Sequence, residues 1–161
     1  MARFSILALV AVAMLLMSPI NVYGNLSTTA QEFTIYGNVL CQDCTQGWNT
    51  FAHGATPIPD AKVDVICPDK NGRPVYHVSD LTDVTGEFRF TIPYNYNGFI
   101  LDPKDAIVRL VSSPTSCNIL TNFNLGKDGV SPQNPTTWGH DKVEYECGPF
   151  YFTIPQCAVP E

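Results

Sequence analysis

The sequence predicts an all-β protein: an antiparallel β-sandwich or partly open barrel of about seven short strands, stapled by disulfides. Three observations predict it. Apolar and polar residues alternate in short runs, and nothing after residue 24 keeps a helical apolar period for three turns. Clusters of Gly, Pro, Asn and Asp separate the runs. Six cysteines, Cys41, Cys44, Cys67, Cys117, Cys147 and Cys157, all lie beyond an apolar leader. An even count in an exported chain reads as a disulfide framework, because nothing in that compartment keeps thiols reduced.

The leader comes first. Arg3 supplies a positive start, residues 6–17 are an unbroken apolar run, Ser18-Pro19 breaks it, and Val22-Tyr23-Gly24 offers a cleavage site. Residues 1–24 therefore read as a signal peptide, and residues 25–161 as one secreted β domain. The apolar run is too short to span a bilayer comfortably and no second run follows, so no membrane anchor is expected. Asn25-Leu26-Ser27 is the only glycosylation sequon, which makes Asn25 the expected glycan site.

The strands follow in order. Residues 32–40 open the domain with Phe33, Ile35 and Val39 on one face. Val63, Val65 and Cys67 alternate with Lys62 and Asp64. Phe88, Phe90 and Ile92 alternate with Glu87, Arg89 and Thr91. Val108 and Leu110 flank Arg109; Val143, Tyr145 and Cys147 alternate with charged residues; Phe150, Phe152 and Ile154 close the series. Residues 75–78 and 119–125 are weaker candidates. Two long connections, 47–59 and 131–139, are candidate recognition surfaces, because loops vary without breaking a core.

The net charge of −6 argues against nucleic acid or anionic lipid as a partner held by a basic patch. Cys41-Gln42-Asp43-Cys44 follows a strand and precedes a polar loop. A redox pair wants its first thiol at a helix N-terminus, so these two read as staple points. No second closely spaced Cys or His pair completes a zinc site, and His53, His77 and His140 lack ligand spacing. Asp83 reads as a turn residue, and Asp102 and Asp105 as solvated carboxylates. No catalytic motif, cofactor or metal site is nominated, and no enzymatic activity is expected. Aromatics in the loops are the best binding signal: Trp48 and Phe51, then Tyr94, Tyr96 and Phe99, then Trp138. Their faces can stack on sugar rings; the competing reading has them capping the ends of the core. Of these, Trp48, Phe51 and Trp138 are the expected ligand contacts.

At Gly37-Asn38-Val39-Leu40-Cys41-Gln42-Asp43-Cys44 the chain resembles the pollen Ole e 1-like family of secreted plant domains. The resemblance continues at residues 58–67, at Thr82-Asp83-Val84-Thr85-Gly86-Glu87-Phe88, at residues 111–117 and at Pro155-Gln156-Cys157. The middle blocks are also similar to transthyretin-like and carboxypeptidase-regulatory β-sandwiches, where such residues are architecture. The pollen proteins imply the pairs Cys41–Cys117 and Cys44–Cys157. They place a further cysteine near the position of Ala106, where this chain instead has Cys147, and the expected third pair is Cys67–Cys147. Cysteine spacing alone leaves many other connectivities open.

The resemblance implies a secreted, non-enzymatic plant protein of the extracellular space or cell wall. Related domains occur in extensin-like and arabinogalactan proteins, so wall polysaccharide (galactan or pectin) or a wall glycoprotein is the expected partner. The alternatives are an extracellular protein-binding or inhibitor module and, last, a polysaccharide hydrolase.

Overall fold

The first alternating run becomes the central strand. In the computed structural model, which describes residues 31–42, 54–138 and 142–157, with the side chains of Thr137 and Trp138 outside that description, Glu32–Gln42 forms β1. Phe33, Ile35, Gly37 and Val39 are buried while Thr34, Tyr36 and Asn38 are half-buried, the period of two that a pleated strand imposes. One edge of β1 carries two antiparallel partners. These are β2 (Thr56–Pro57), opposite Leu40 and Cys41, and β5 (Glu87–Pro93), opposite Glu32 to Asn38. The other edge carries β11 (Val143–Glu146) and β12 (Phe150–Thr153), both parallel to β1. Beyond them, antiparallel, lie β10 (Thr137–Trp138) and β9 (Ile119–Leu120).

β11 and β12 behave as one interrupted strand. Tyr36 faces Glu146 and Val39 faces Phe150, so the register advances by one residue across Cys147-Gly148-Pro149. That extra residue is a bulge, and Gly148 occupies the left-handed region at φ +97°. The parallel pairing departs from the antiparallel sheets expected. Alternation sets which face a residue takes and carries no information about strand direction.

The second sheet is antiparallel throughout, in the order β4 (Pro74–Leu81), β3 (Lys62–Pro68), β8 (Ile107–Ser112). Asp69 closes the β3–β4 turn by accepting from the amides of Asn71 and Arg73 and from the Arg73 guanidinium at 2.7 Å. The amide and guanidinium of Arg73 hold this carboxyl down at about 2, with help from the Asn71 amide. A small hairpin, β6 (Asn95–Tyr96) and β7 (Phe99–Ile100), stands apart. Among the described residues there is no α-helix, and the sheets close no barrel. The 119–125 segment, expected as a weak strand, is a two-residue strand followed by a 3-10 turn at Phe123–Leu125.

The core lies between the sheets. Val63, Val65, Val108 and Leu110 from one side join Phe33, Ile35, Phe88, Phe90, Ile92, Phe150 and Phe152 from the other in one buried cluster. The rings of Phe88 and Phe150 stack at 6.0 Å. Each such side chain contributes about 1.5–3 kcal/mol when fully buried. The Thr82-to-Phe88 block is architecture. Buried Thr82 donates its hydroxyl to Ile58 O at 2.6 Å and accepts from the Ala61 amide at 2.9 Å, tying the Pro59-Asp60-Ala61 turn to the start of the next one. Asp83 accepts from Thr85 and from the Glu87 amide, which lowers its carboxyl pKa through the Thr85 hydroxyl first. Gly86 has φ +75°, and a Cβ there would stand 2.7 Å from Val39 O.

Cys41 is bridged to Cys117 across 76 residues of chain. Cys157 is also disulfide-bonded; Cys44, its expected partner, lies outside the described residues, as do Asn25 and the leader. The expected Cys67–Cys147 bridge is not formed: both are buried free thiols. They belong to different sheets and different levels of the sandwich. Cys67 sits opposite Tyr76, whose ring meets Tyr96 at the hairpin end. Cys147 sits in the bulge, its amide donating to Tyr36 O midway along β1. Burial pushes the two thiols up to about 11 and about 12.

Candidate ligand-binding site

The Pro93-to-Leu101 segment builds the most exposed aromatic surface among the described residues. Asn97 and Gly98 both have positive φ, at 51° and 86°. Two such residues make the tight turn whose twist matches a hairpin, and Asn and Gly reach it most easily. The Asn95 side chain accepts from the Gly98 amide at 3.1 Å and braces the turn. At the base, the Leu101 amide donates to Tyr94 O at 2.8 Å and Leu101 is fully buried. Tyr94 anchors the hairpin: its ring packs on Phe33 at 5.0 Å and its phenol is hydrogen-bonded to that of Tyr145. Burial raises the pKa of both phenols. Tyr94 is therefore half-buried and packed against the core, as the capping alternative holds.

Tyr96 and Phe99 are different. They are cross-strand partners, so their rings share one face of the hairpin. They remain 39% and 43% exposed. Tyr76 meets Tyr96 edge-on at 5.0 Å, which fixes the Tyr96 ring without covering it. The opposite face carries Asn95 and Ile100, the latter 71% exposed. Rigid rings beside amide side chains can stack on the C–H face of a sugar and bond its hydroxyls.

Trp48 and Phe51 lie outside the described residues. Trp138 has its backbone in β10, paired with Val143. His53 and His140 also lie outside the described residues. Asp102 is exposed in a turn, accepting from the Lys104 amide at 3.0 Å.

One polar constellation was not visible in the sequence. Asp64, on the outer face of β3, is buried. Ser79 Oγ donates to its Oδ1, His77 Nε2 lies 3.1 Å from its Oδ2, and an Arg109 nitrogen lies 3.7 Å away. Register explains the meeting: Ser79 and Arg109 face Asp64 across the two ladders. Serine, histidine and aspartate are present, but a hydrolytic triad needs the imidazole between the other two. Here the hydroxyl and the imidazole both address the carboxylate, so the imidazole does not stand between serine and aspartate. Among the described residues, no group of three or more His, Cys, Asp or Glu is placed to hold a metal ion.

No family model matches the chain, and no curated protein matches it. Solved structures do. The major plantain pollen allergen Pla l 1 is similar over 79% of this chain and 97% of its own, with 20% identity and a TM-score of 0.55. That likeness shows the fold. The 3-chlorocatechol 1,2-dioxygenase of Rhodococcus opacus 1CP covers 78% of this chain and 60% of its own at 12% identity, with a TM-score of 0.39. The dioxygenase domain of a carbohydrate-binding fusion protein from Streptomyces sp. SirexAA-E covers 80% and 84% at 11% identity, with a TM-score of 0.37.

Proposed function

We propose that this chain is a secreted plant protein of the pollen Ole e 1-like type, that it catalyses no reaction, and that it binds a neutral wall polysaccharide such as galactan through the hairpin at residues 94–101. Several ordered sequence blocks behind an apolar leader support the family reading, and so does a fold shared with a pollen allergen. The observation that carries the binding reading is the Tyr96–Phe99 pair, held side by side, exposed and flanked by Asn95 and Asn97. The net charge of −6 weighs against the carboxylates of pectin and favours a neutral chain. Trp48, Phe51 and Trp138 are proposed as further contacts on sequence grounds.

A second reading has its own support. Ile100 is the most exposed apolar side chain of the hairpin, and an apolar knob of this kind also suits a protein partner. A glycan array that includes neutral galactans and polygalacturonate, run beside a pull-down from wall extract, separates the two. Selective retention of galactan that falls in Tyr96→Ala supports the proposal. Capture of a wall protein with no glycan retained supports the protein-binding module, and turnover of any polysaccharide would require an enzyme.

A further inference from the structure

A groove of about 460 Å³ opens well away from the hairpin, between the 131–134 segment and the bulge at Glu146-Cys147-Gly148, with Asn124 and Leu125 also lining it. Its level on β1 is that of Tyr36, which receives the Cys147 amide, whereas the hairpin's root at Pro93 faces Glu32. At about 3.3 Å per residue that is roughly 13 Å of strand. The volume falls within the range of about 300–1,000 Å³ typical of small-molecule sites.

One observation distinguishes this groove from an ordinary surface depression. Asn124 and Leu125 are consecutive non-glycine residues in the left-handed region, at φ 54° and 60°. Asparagine reaches that conformation readily, but it is costly for the bulky, non-polar Leu125. It is held by the Asn124 side-chain Nδ2 donating to Pro149 O at 2.8 Å and by the Gly129 backbone amide donating to Leu125 O at 2.7 Å. Packing does not offset the cost, because Leu125 is left 49% exposed. Strain kept without compensating burial points to a ligand surface. The Asn134 side chain and the Glu146 carboxylate also line the groove, both exposed and open to a ligand. An apolar side chain and the Pro132 ring beside exposed acceptors suit a ligand with one C–H face and many hydroxyl donors. The carboxylate disfavours an acidic one.

We infer that this groove is a second saccharide subsite that takes the neutral end of a chain, separate from the hairpin. The ligand class rests on the saccharide reading of the hairpin; the groove itself does not. The test is an NMR amide-shift titration of the secreted protein with a neutral β-1,4-galactotetraose. Two separate sets of shifts are expected, one within residues 95–100 and one within 124–134 and 146–148. Leu125→Gly removes the exposed side chain and relieves the backbone, so its melting midpoint should hold or rise while binding at the second set weakens at least fivefold. Asn134→Ala should weaken the same set and leave the first unchanged. Shifts confined to the hairpin, or second-set shifts that survive Leu125→Gly, overturn the inference. Shifts confined to the groove uphold it and overturn the hairpin instead, and no shifts anywhere overturn both.

Discussion

At Gly37 the first carbon of any side chain would stand 1.9 Å from the Cys147 carbonyl oxygen and 2.8 Å from Phe88 Cζ. The parallel approach of β11 to β1 therefore depends on a missing Cβ. Gly37→Ala should cost about 3 kcal/mol in urea denaturation, because the contact is with backbone that cannot swing aside. Gly72→Ala is the control. Gly72 also has positive φ, at +77°, but nothing lies within 4 Å, so only the conformational cost of about 1 kcal/mol remains. If Gly72→Ala proved the more damaging, the assigned pairing of β1 with β11 would be wrong. The free thiols make a second prediction at this scale. Cys67 and Cys147 titrate near 11 and 12 in the fold against 9.0 for an ordinary thiol. Above pH 9 the unfolded chain loses these protons while the native one keeps them, so stability falls as pH rises toward 11 and 12. Each thiol contributes a slope of about 1.4 kcal/mol per pH unit over its window. Alkaline melting curves of Cys67→Ala and Cys147→Ala should lose that slope. In the native protein at neutral pH, a thiol reagent should modify neither residue until denaturant is added.

Among the elements, the Asn95–Ile100 hairpin and the β1 terminus show what was legible in the sequence. Tyr94, Tyr96 and Phe99 stood out with their Asn and Gly neighbours, and the Asn97-Gly98 pair sits at the turn. Which ring packs inward did not follow, because Tyr94 and Tyr96 have the same parity and only the tertiary position of Phe33 and Tyr145 separates them. Alternation in the β1 run was plain, yet its two parallel neighbours come from the far end of the chain, and no local pattern encodes such a partner. The same limit explains Cys67 and Cys147: both belong to the alternating faces of their strands, and only the register shows that they do not meet. Asp64 was hidden because its partners Ser79 and Arg109 reach it through two ladders. The Cys41–Cys117 bridge pins the end of β1 to the segment before β9 and closes a 76-residue separation. Replacing both cysteines by serine should cost about 2–5 kcal/mol and lower the melting midpoint sharply. An unchanged midpoint would show that the bridge does not hold this edge together.

Over the whole molecule, a sandwich core of large aromatic and β-branched side chains carries a hairpin whose Tyr96 ring meets Tyr76 and whose Tyr96 and Phe99 are left partly open to solvent. Such a division suits recognition, since Tyr76 holds the Tyr96 ring before a ligand arrives. The overall charge of −6 repels anionic chains at low salt. The central claim, that the hairpin is a neutral-saccharide platform, is tested most directly by calorimetric titration of neutral galactan into the wild-type protein and into Tyr96→Ala and Phe99→Ala. Each ring should account for about 1 kcal/mol, a several-fold loss of affinity per substitution. The wild-type affinity should be insensitive to salt, and the melting midpoints of both variants should stay within a few degrees of wild type. Galactan affinity unaffected by both substitutions, or equal affinity for polygalacturonate at low salt, would contradict the account.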